Sequence, residues 1–437
     1  MTRWKLEIFS QLRNFLSSAQ ADPSPYVLKA NSFSRTRVLT FERVVLLILG
    51  LLKRSLSVEL WSFFDQIDSL EKLCSKSALC QARQKLASGF FRSWNEQLVS
   101  LFYQSAGSSI KRWKGFRLCA VDASQIRLPN KEALGEHFGW KHNQFTKVAL
   151  AKLVCWYDVL NHLCLESYLG PYKEDERDIS IAHLPSLSAD MLMIYDRHYP
   201  SFENIYAHHL ANQPFLMRIK RGFNIVEQFL QSGERQSVLL YQIRYNLVTP
   251  LRKKGYQVDR NTSVRVRLIR VELASGETEV LISSLLDTTK YPLKAFKWLY
   301  QQRWEIEIFF DRIKNKMALE NFSGYKVEVI KQEVMAQLFL ANVHSLIVEQ
   351  AKPIVIDKHP NRRLNYQPNV NITIGILVKQ IYYLWDKDSQ VDVIRKVFEA
   401  CLFYVEPIRK NRSMPRRRKP KAYRKRHRTQ TNFKLAV

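Results

Sequence analysis

Between residues 115 and 220, hydrophobic runs and polar breaks alternate in a rhythm that leaves few folds open. Residues 116–128, 148–161 and 163–172 read as strands, the last two joined by a tight turn at Asn161 and His162. A helix is expected over 175–187, then the short buried strand Met191–Tyr195, a helix after Ser201 and a strand over 214–220. Residues 135–144 carry neither period and are expected to be irregular. Three strands in a meander, followed by helices and strands in turn, predict a mixed α/β sheet.

The flanks differ. Residues 1–112 read as helical, and the apolar run 44–52 is too short to span a bilayer and predicts a buried core helix. The segment 75–86, with Ser75 or Ser77 as N-cap, reads equally as the second helix of a helix-turn-helix or as a plain packing helix. Residues 223–288 are β-rich, with strands around Val238, Val266 and Leu281 and a turn at 274–276, and read as an insertion. Helices are expected to resume near Pro292 and run to about Glu349, with a further helical region over 351–406. After Pro407 there is no acidic residue, while thirteen Lys and Arg follow, nearly half of the net charge of +28. Such a run cannot bury itself and suits a phosphate backbone, giving affinity and salt dependence but no choice of sequence.

A net charge of +28 on 437 residues points to a polyanionic partner, nucleic acid ahead of an anionic membrane surface. With 46% hydrophobic residues the chain is globular, and it is long enough for two or three domains. Residues 1–20 mix charges into their apolar positions, unlike a signal peptide. The six cysteines show no CxxC spacing and read as small core residues of a reduced, cytoplasmic protein.

The stretch 300–314 reads Tyr300, two residues, Arg303, three residues, Glu307, six residues, Lys314. On one straight helix these four side chains fall within roughly 60° of one another, along about four turns. A hydroxyl, a guanidinium, a carboxylate and an ammonium in one stripe suit holding a phosphodiester beside a metal-binding acid. The same residues also describe an amphipathic helix with ordinary charge pairs. Six large apolar residues between Trp304 and Ile313 leave little of the helix polar, which favours burial on most sides. Glu305 points away from the stripe, whereas Asp311 lies one turn beyond Glu307 on the same face and stays open as an alternative.

Two more acids stand where chemistry could use them. Asp122 interrupts the strand around Leu118–Ala123, and Asp196 ends the strand Met191–Tyr195. Either alone reads as a turn or helix cap. Together with Glu307 they make three oxygen ligands from two strands and a helix, a set suited to a pair of magnesium ions about 4 Å apart. Carboxylates that close repel one another without metal, so activity is expected to need it.

Asp122 in Ala-Val-Asp-Ala-Ser, Asp196 in Tyr-Asp-Arg-His-Tyr-Pro-Ser, and Tyr300, Arg303, Glu307 and Lys314 at their spacing resemble the insertion sequence four family of bacterial DDE transposases. The segments 77–86, 175–177 and 412–416 are similar to the family as well. The resemblance implies an RNase H-like core over 113–222 and 289–350, interrupted by the β-rich insertion 223–288. Before it lies a helical, DNA-binding domain over 1–112; after it come the helical region 351–406 and the basic tail 407–437. It implies cut-and-paste transposition with two Mg2+ or Mn2+ ions, through hairpin intermediates, on double-stranded DNA: terminal inverted repeats and a target. Asp122, Asp196 and Glu307 would be metal ligands; Tyr300, Arg303 and Lys314 would grip the DNA end near a flipped base. Arg218 and Lys220 would contact backbone phosphates. A homodimer in a synaptic complex is expected, acting in the cytoplasm at the nucleoid, with no membrane partner.

Two departures from the family stand out. His198 follows Asp196-Arg197 where relatives usually carry glycine. No tryptophan lies between Trp156 and Trp298 to stack on a flipped base, which leaves Tyr241 or Tyr245 for that role, or a different mechanism. Two rival readings remain: a related metal-dependent nuclease that cleaves without joining, and a domesticated DNA-binding protein without chemistry. Retention of all three acids argues against the second.

Overall fold

The computed structural model describes residues 3–35, 37–51, 53–142, 145–273, 276–358 and 363–409. Nine strands form one mixed sheet: β1 (Arg117–Arg127), β2 (Trp140–His142), β3 (Lys147–Asp158), β4 (Leu163–Pro171), β5 (Met191–Tyr195), β6 (Phe215–Ile219), β7 (Gln236–Gln242), β8 (Ser263–Glu272) and β9 (Thr278–Ser283). The order runs β2-β3-β1-β5-β6-β9-β8-β7, with β4 also paired to β3. β1, β5 and β6 are parallel; every other pairing is antiparallel. The all-apolar β5 is buried along its whole length, as a central parallel strand covered on both faces requires.

Residues alternate between the two faces of a sheet, so the register says what faces what. Tyr195 pairs with Val121, and its hydroxyl meets Ser180 Oγ at 3.1 Å, which puts the helix Glu176–His183 on that face. Tyr157 pairs with Ala120, on the face shared with Asp122, and stacks on Phe309 with ring centroids 4.6 Å apart. The helix Trp304–Asp311 therefore covers the Asp122 face.

The helix Val327–Asp357 is buried on all sides over most of its length, polar residues such as Gln332, Glu333 and Asn342 included. It packs against the N-terminal helices Phe41–Leu49 and Gly89–Ser105 and the C-terminal helix Gln390–Phe403. Trp94 stacks on Phe339 at 4.2 Å and meets Trp385 at 4.6 Å, joining three parts of the chain in one core. Glu333 adds a polar tie, accepting from Lys53 Nζ (2.6 Å) and Arg83 Nη2 (3.1 Å), all three side chains buried.

Several expectations need correction. Residues 135–144 are not irregular: the helix Glu132–Phe138 and strand β2 occupy them as far as His142, Asn143 and Gln144 lying outside the described residues. The strands of 223–288 share the sheet of β1, because β9 pairs with β6, and the helices Asn224–Gln231 and Tyr245–Lys253 lie among them. The helical run expected from 292 to 349 is broken, and the helix Val327–Asp357 continues across residue 350. Cys80 is exposed and Cys74 half-buried, whereas Cys119, Cys155, Cys164 and Cys401 are buried; all six are free thiols. The turn at 274–276 and the tail beyond Arg409 fall largely outside the described residues.

The segment 75–86 forms the helix Lys76–Arg83, with Ser75 Oγ accepting from Ala78 N–H at the N-cap. Its exposed face carries Lys76, Ser77, Gln81 and Gln84, but Arg83 is turned inward onto Glu333. That inward turn makes Arg83 a packing residue rather than a groove-reading one.

Candidate active site

The parallel register between β1 and β5 ends at Val121 and Tyr195, and the next residue on each strand is an acid, Asp122 and Asp196. These two are the pair that the fold brings side by side. Asp122 is half-buried, and burial first, then the neighbouring Asp196 and Glu176, push its carboxyl up to about 7 against the lowering pull of Ala123 N–H and Arg303. Its only hydrogen bond among the described residues comes from Ala123 N–H, 2.8 Å away. Asp196 accepts from His198 N–H (2.7 Å) and lies 2.8 Å from His198 Nδ1. His198 thus touches the second acid.

The stretch 300–314 is not one straight helix. It comprises the end of the helix Ala295–Gln301, a turn at Gln302 and Arg303, the helix Trp304–Asp311 and a π-helical turn Arg312–Lys316. Trp298, Trp304 and Ile308 are exposed, so burial on most sides does not hold. Glu307 sits on the helix that covers the Asp122 side of the sheet and is paired within its own segment: Arg303 Nη2 donates to Oε1 at 2.7 Å. Glu305 turns elsewhere, to His162 Nδ1 at 3.6 Å. Asp311 is exposed and accepts from Asn315 Nδ2 at 2.6 Å, away from the two aspartates.

Tyr300 is half-buried, its hydroxyl pushed up to about 12 by burial first, with Arg303 and Arg218 lowering and Glu279 and Asp196 raising. The same hydroxyl therefore sits within electrostatic reach of Asp196 and remains a donor at neutral pH. Lys314, on the π turn, donates to Gln125 O (2.9 Å) and to Ser124 Oγ (3.3 Å), the latter two residues along β1 from Asp122, and pairs with Glu320 (3.3 Å). Arg218 is committed to Glu279 at 2.6 Å, and Lys220 is exposed just past β6. Of the two tyrosines considered for stacking, Tyr241 is buried against Phe202, which rules it out. Tyr245 is 70% exposed, with Arg260 over its ring at 4.5 Å.

Among the described residues no group of three His, Cys, Asp or Glu side chains converges closely enough to hold a metal ion. The donor chemistry nonetheless fits a hard divalent cation. Asp122 is a desolvated carboxylate with one hydrogen bond, beside a second carboxylate, and a bound cation would relieve both costs. Reasoning from sequence missed Glu176 and Tyr199, which lie within electrostatic reach of this pair. Both lie in stretches singled out from the sequence, 175–177 and the one around Asp196, but neither is assigned a role there.

The model of the transposase DDE domain matches residues 113–343, more than half of the chain and the span that holds both aspartates and Glu307. The chain belongs to the DDE transposase family. DDE transposase domains use divalent metal ions, in keeping with the donor set. The chain is 24% identical over 274 residues to the transposase InsG of insertion sequence element IS4 from Escherichia coli K12, covering 61% of the chain and 60% of that protein. It is 26% identical over 133 residues to the putative transposase InsZ of the same organism, covering 29% of the chain and 42% of the relative. The chain thus spans less than two thirds of either relative's length. A piggyBac transposase synaptic complex with hairpin DNA overlaps 91% of the chain and 85% of its own at 8% identity and a TM-score of 0.41, too low to transfer detail.

Proposed function

We propose that this protein moves an insertion sequence by cut-and-paste DNA transposition, with Asp122, Asp196 and Glu307 as the acids of its active site. The observation that carries the reading is the placement of Asp122 and Asp196 as the next residues after a parallel register pair, facing the Glu307 helix. The order β4-β3-β1-β5-β6, with only the last three strands parallel, supports an RNase H-like core. Magnesium or manganese, two ions in the simplest case, would be held by the three acids and would stabilise the attacking and leaving oxygens of phosphoryl transfer.

The chain's own residues supply the rest. Arg303 Nε is buried without a partner among the described residues, leaving a donor for a DNA phosphate while Nη2 holds Glu307. Tyr300 adds a protonated hydroxyl and Lys314 a cation over β1, a grip on the strand at the element's end. Arg218 would have to leave Glu279 to join them, whereas Lys220 is free to reach a backbone. Tyr245 is the aromatic available to a base flipped out during hairpin formation. The DNA partners are the element's terminal repeats and a target duplex, met in a homodimeric complex at the nucleoid in the cytoplasm. No helix among the described residues is long and apolar enough to cross a membrane.

The test is direct. Purified protein, Mg2+ and a duplex bearing the repeats that flank its coding region should yield hairpinned ends and then joined products. Open breaks without hairpins would point to another excision route, and cleavage without joining to a nuclease.

A further inference from the structure

The sheet ends at β7, which pairs with β8 on one side and, among the described residues, with no strand on the other. Edge strands usually carry a charge or a proline that blocks further pairing. Gln236–Gln242 carries neither, in a chain that is 25% charged. Val238 and Leu240 are instead 39% and 63% exposed, two apolar side chains on one face of the edge.

The hydrogen-bonding phase of the free edge follows from its paired side. Ile243 N–H donates to Thr262 O at 3.0 Å and Arg270 N–H to Arg235 O at 2.9 Å, at the two ends of the β7–β8 ladder. Antiparallel partners alternate between bonded and open pairs, so Ser237, Leu239 and Tyr241 bond to β8. Gln236, Val238, Leu240 and Gln242 therefore turn their backbone N–H and C=O groups outward. Read backwards about Leu239, the strand matches itself. Leu240 falls opposite Val238 and Gln242 opposite Gln236, and each pair joins two outward-turned residues, as a bonded pair must. A shift of one residue would set outward against inward groups and break the match. Two residues past each strand end, the same register sets Glu234 opposite Arg244, both exposed.

We propose that β7 pairs antiparallel with β7 of a second copy of this chain, about a two-fold axis at Leu239. Two copies that each carry a net charge of +28 meet here without setting like charges together, and the Glu234–Arg244 pair, made twice by symmetry, adds attraction. The register carries one face of the sheet from Ala120 through Ile194, Leu216, Ser283 and Arg267 to Val238. Asp122, two residues from Ala120, shares that face. A two-fold axis normal to the sheet preserves faces, so both copies present Asp122 on the same side of one continuous sheet. The use of that arrangement, holding two element ends in one complex, rests on the transposition reading above; the contact itself does not.

The experiment is analytical ultracentrifugation of the full chain without DNA. The parent should sediment as a dimer. Leu240→Lys, at an exposed position, should weaken dimerisation by about tenfold, because symmetry counts the change twice. Glu234→Arg and Arg244→Glu should each weaken it, and the two together should restore it. Disulfide trapping reads the register, in a Cys80→Ser background that removes the exposed thiol. Leu239 meets its own copy in an open pair, whose Cα atoms lie about 4.5 Å apart, within disulfide reach. Leu239→Cys should cross-link under mild oxidation, and Ser237→Cys, four residues out of register with its copy, should not. Thermal melting checks that each variant is folded, and the Glu234 and Arg244 variants keep the test standing if Leu240→Lys is not. A monomeric parent, a folded Leu240→Lys that dimerises as the parent does, or equal cross-linking from positions 237 and 239 would overturn the inference. The transposition reading would survive any of these, since DNA ends can still bring two copies together. Failure of the parent to cleave and join element ends would overturn that reading and leave the contact standing.

Discussion

Arg303 Nη2 lies 2.7 Å from Glu307 Oε1, one helical turn away, so the proposed third acid is held by a cation of its own segment. Arg303 also pulls down the carboxyl of Asp122, which makes it a shared counter-charge for two acids. A guanidinium in that place competes with a metal ion for Glu307 and for the field at Asp122. Arg303→Gln is therefore expected to bind Mn2+ at least as tightly as the parent while losing DNA cleavage at the element's end. Calorimetry and a cleavage assay on the same preparation separate the two effects. A loss of Mn2+ affinity in a folded variant would show that Arg303 supports the metal site rather than competing with it.

Asp196 and Asp122 are expected to be needed for chemistry and not for holding DNA, because the proposal gives the phosphate grip to Tyr300, Arg303, Lys314 and the basic tail. Asp196→Asn keeps the shape that accepts from His198 N–H while removing the charge. Cleavage should fall by several orders of magnitude, with end binding in a mobility-shift assay unchanged within about twofold. Weakened end binding by a folded variant would count against a purely catalytic role.

How much of the fold and the site is legible in the sequence depends on the range of the interaction concerned. An apolar run broken or ended by an acid is a local pattern, so the residues alone place Asp122 and Asp196 at strand positions. That the two strands are neighbours and parallel is non-local, and only pairing reveals it. The stripe from Tyr300 to Lys314 is legible as spacing but not as shape. Counting about 100° per residue assumes an unbroken α-helix. The buried Arg312, reaching Ser345 Oγ at 3.0 Å, and Ile313 instead sit in a π turn against the long helix. π turns of this kind often occur at functional sites. Residues 223–288 read correctly as strand-rich, yet nothing in their own sequence says that β9 hydrogen-bonds to β6.

The raised carboxyl of Asp122 sets a pH dependence whose sign can be worked out. Its folded-state value, about 7, lies above the unfolded value of 3.8, so the folded state holds this proton more tightly than the unfolded state. Stability from that difference is fully present below pH 3.8 and is lost as pH rises through about 7. Metal-free protein at pH 8 thus carries a desolvated charge that Asp122→Asn removes. The variant should melt at a higher temperature than the parent at pH 8 without metal, with the gap closing toward pH 5. Added Mn2+ should raise the melting temperature of the parent at pH 8 and not that of the variant. An equal gap at both pH values would mean that the carboxyl is not perturbed.

Glu333 presents the opposite case and ties the N-terminal helices to the core. Lys53, Arg83 and Ser323 surround it, and although burial alone would raise its carboxyl, these partners hold it down at about 2. A folded-state value below the unfolded 4.5 gives stability that is present above pH 4.5 and drains away as pH falls toward 2. Removing the acid leaves two buried cations without their partner, a loss on the order of 3–5 kcal/mol. Glu333→Gln should lower the unfolding free energy from urea melts by that amount at pH 7, with a smaller loss at pH 4. Replacing all three residues with apolar ones of similar volume should recover much of the loss, because the desolvation cost of the charges disappears with them. If Glu333→Gln unfolds at the parent's midpoint at pH 7, the cluster is not what fastens the helix Lys76–Arg83 to the long helix, and the packing of Trp94 on Phe339 carries that junction instead.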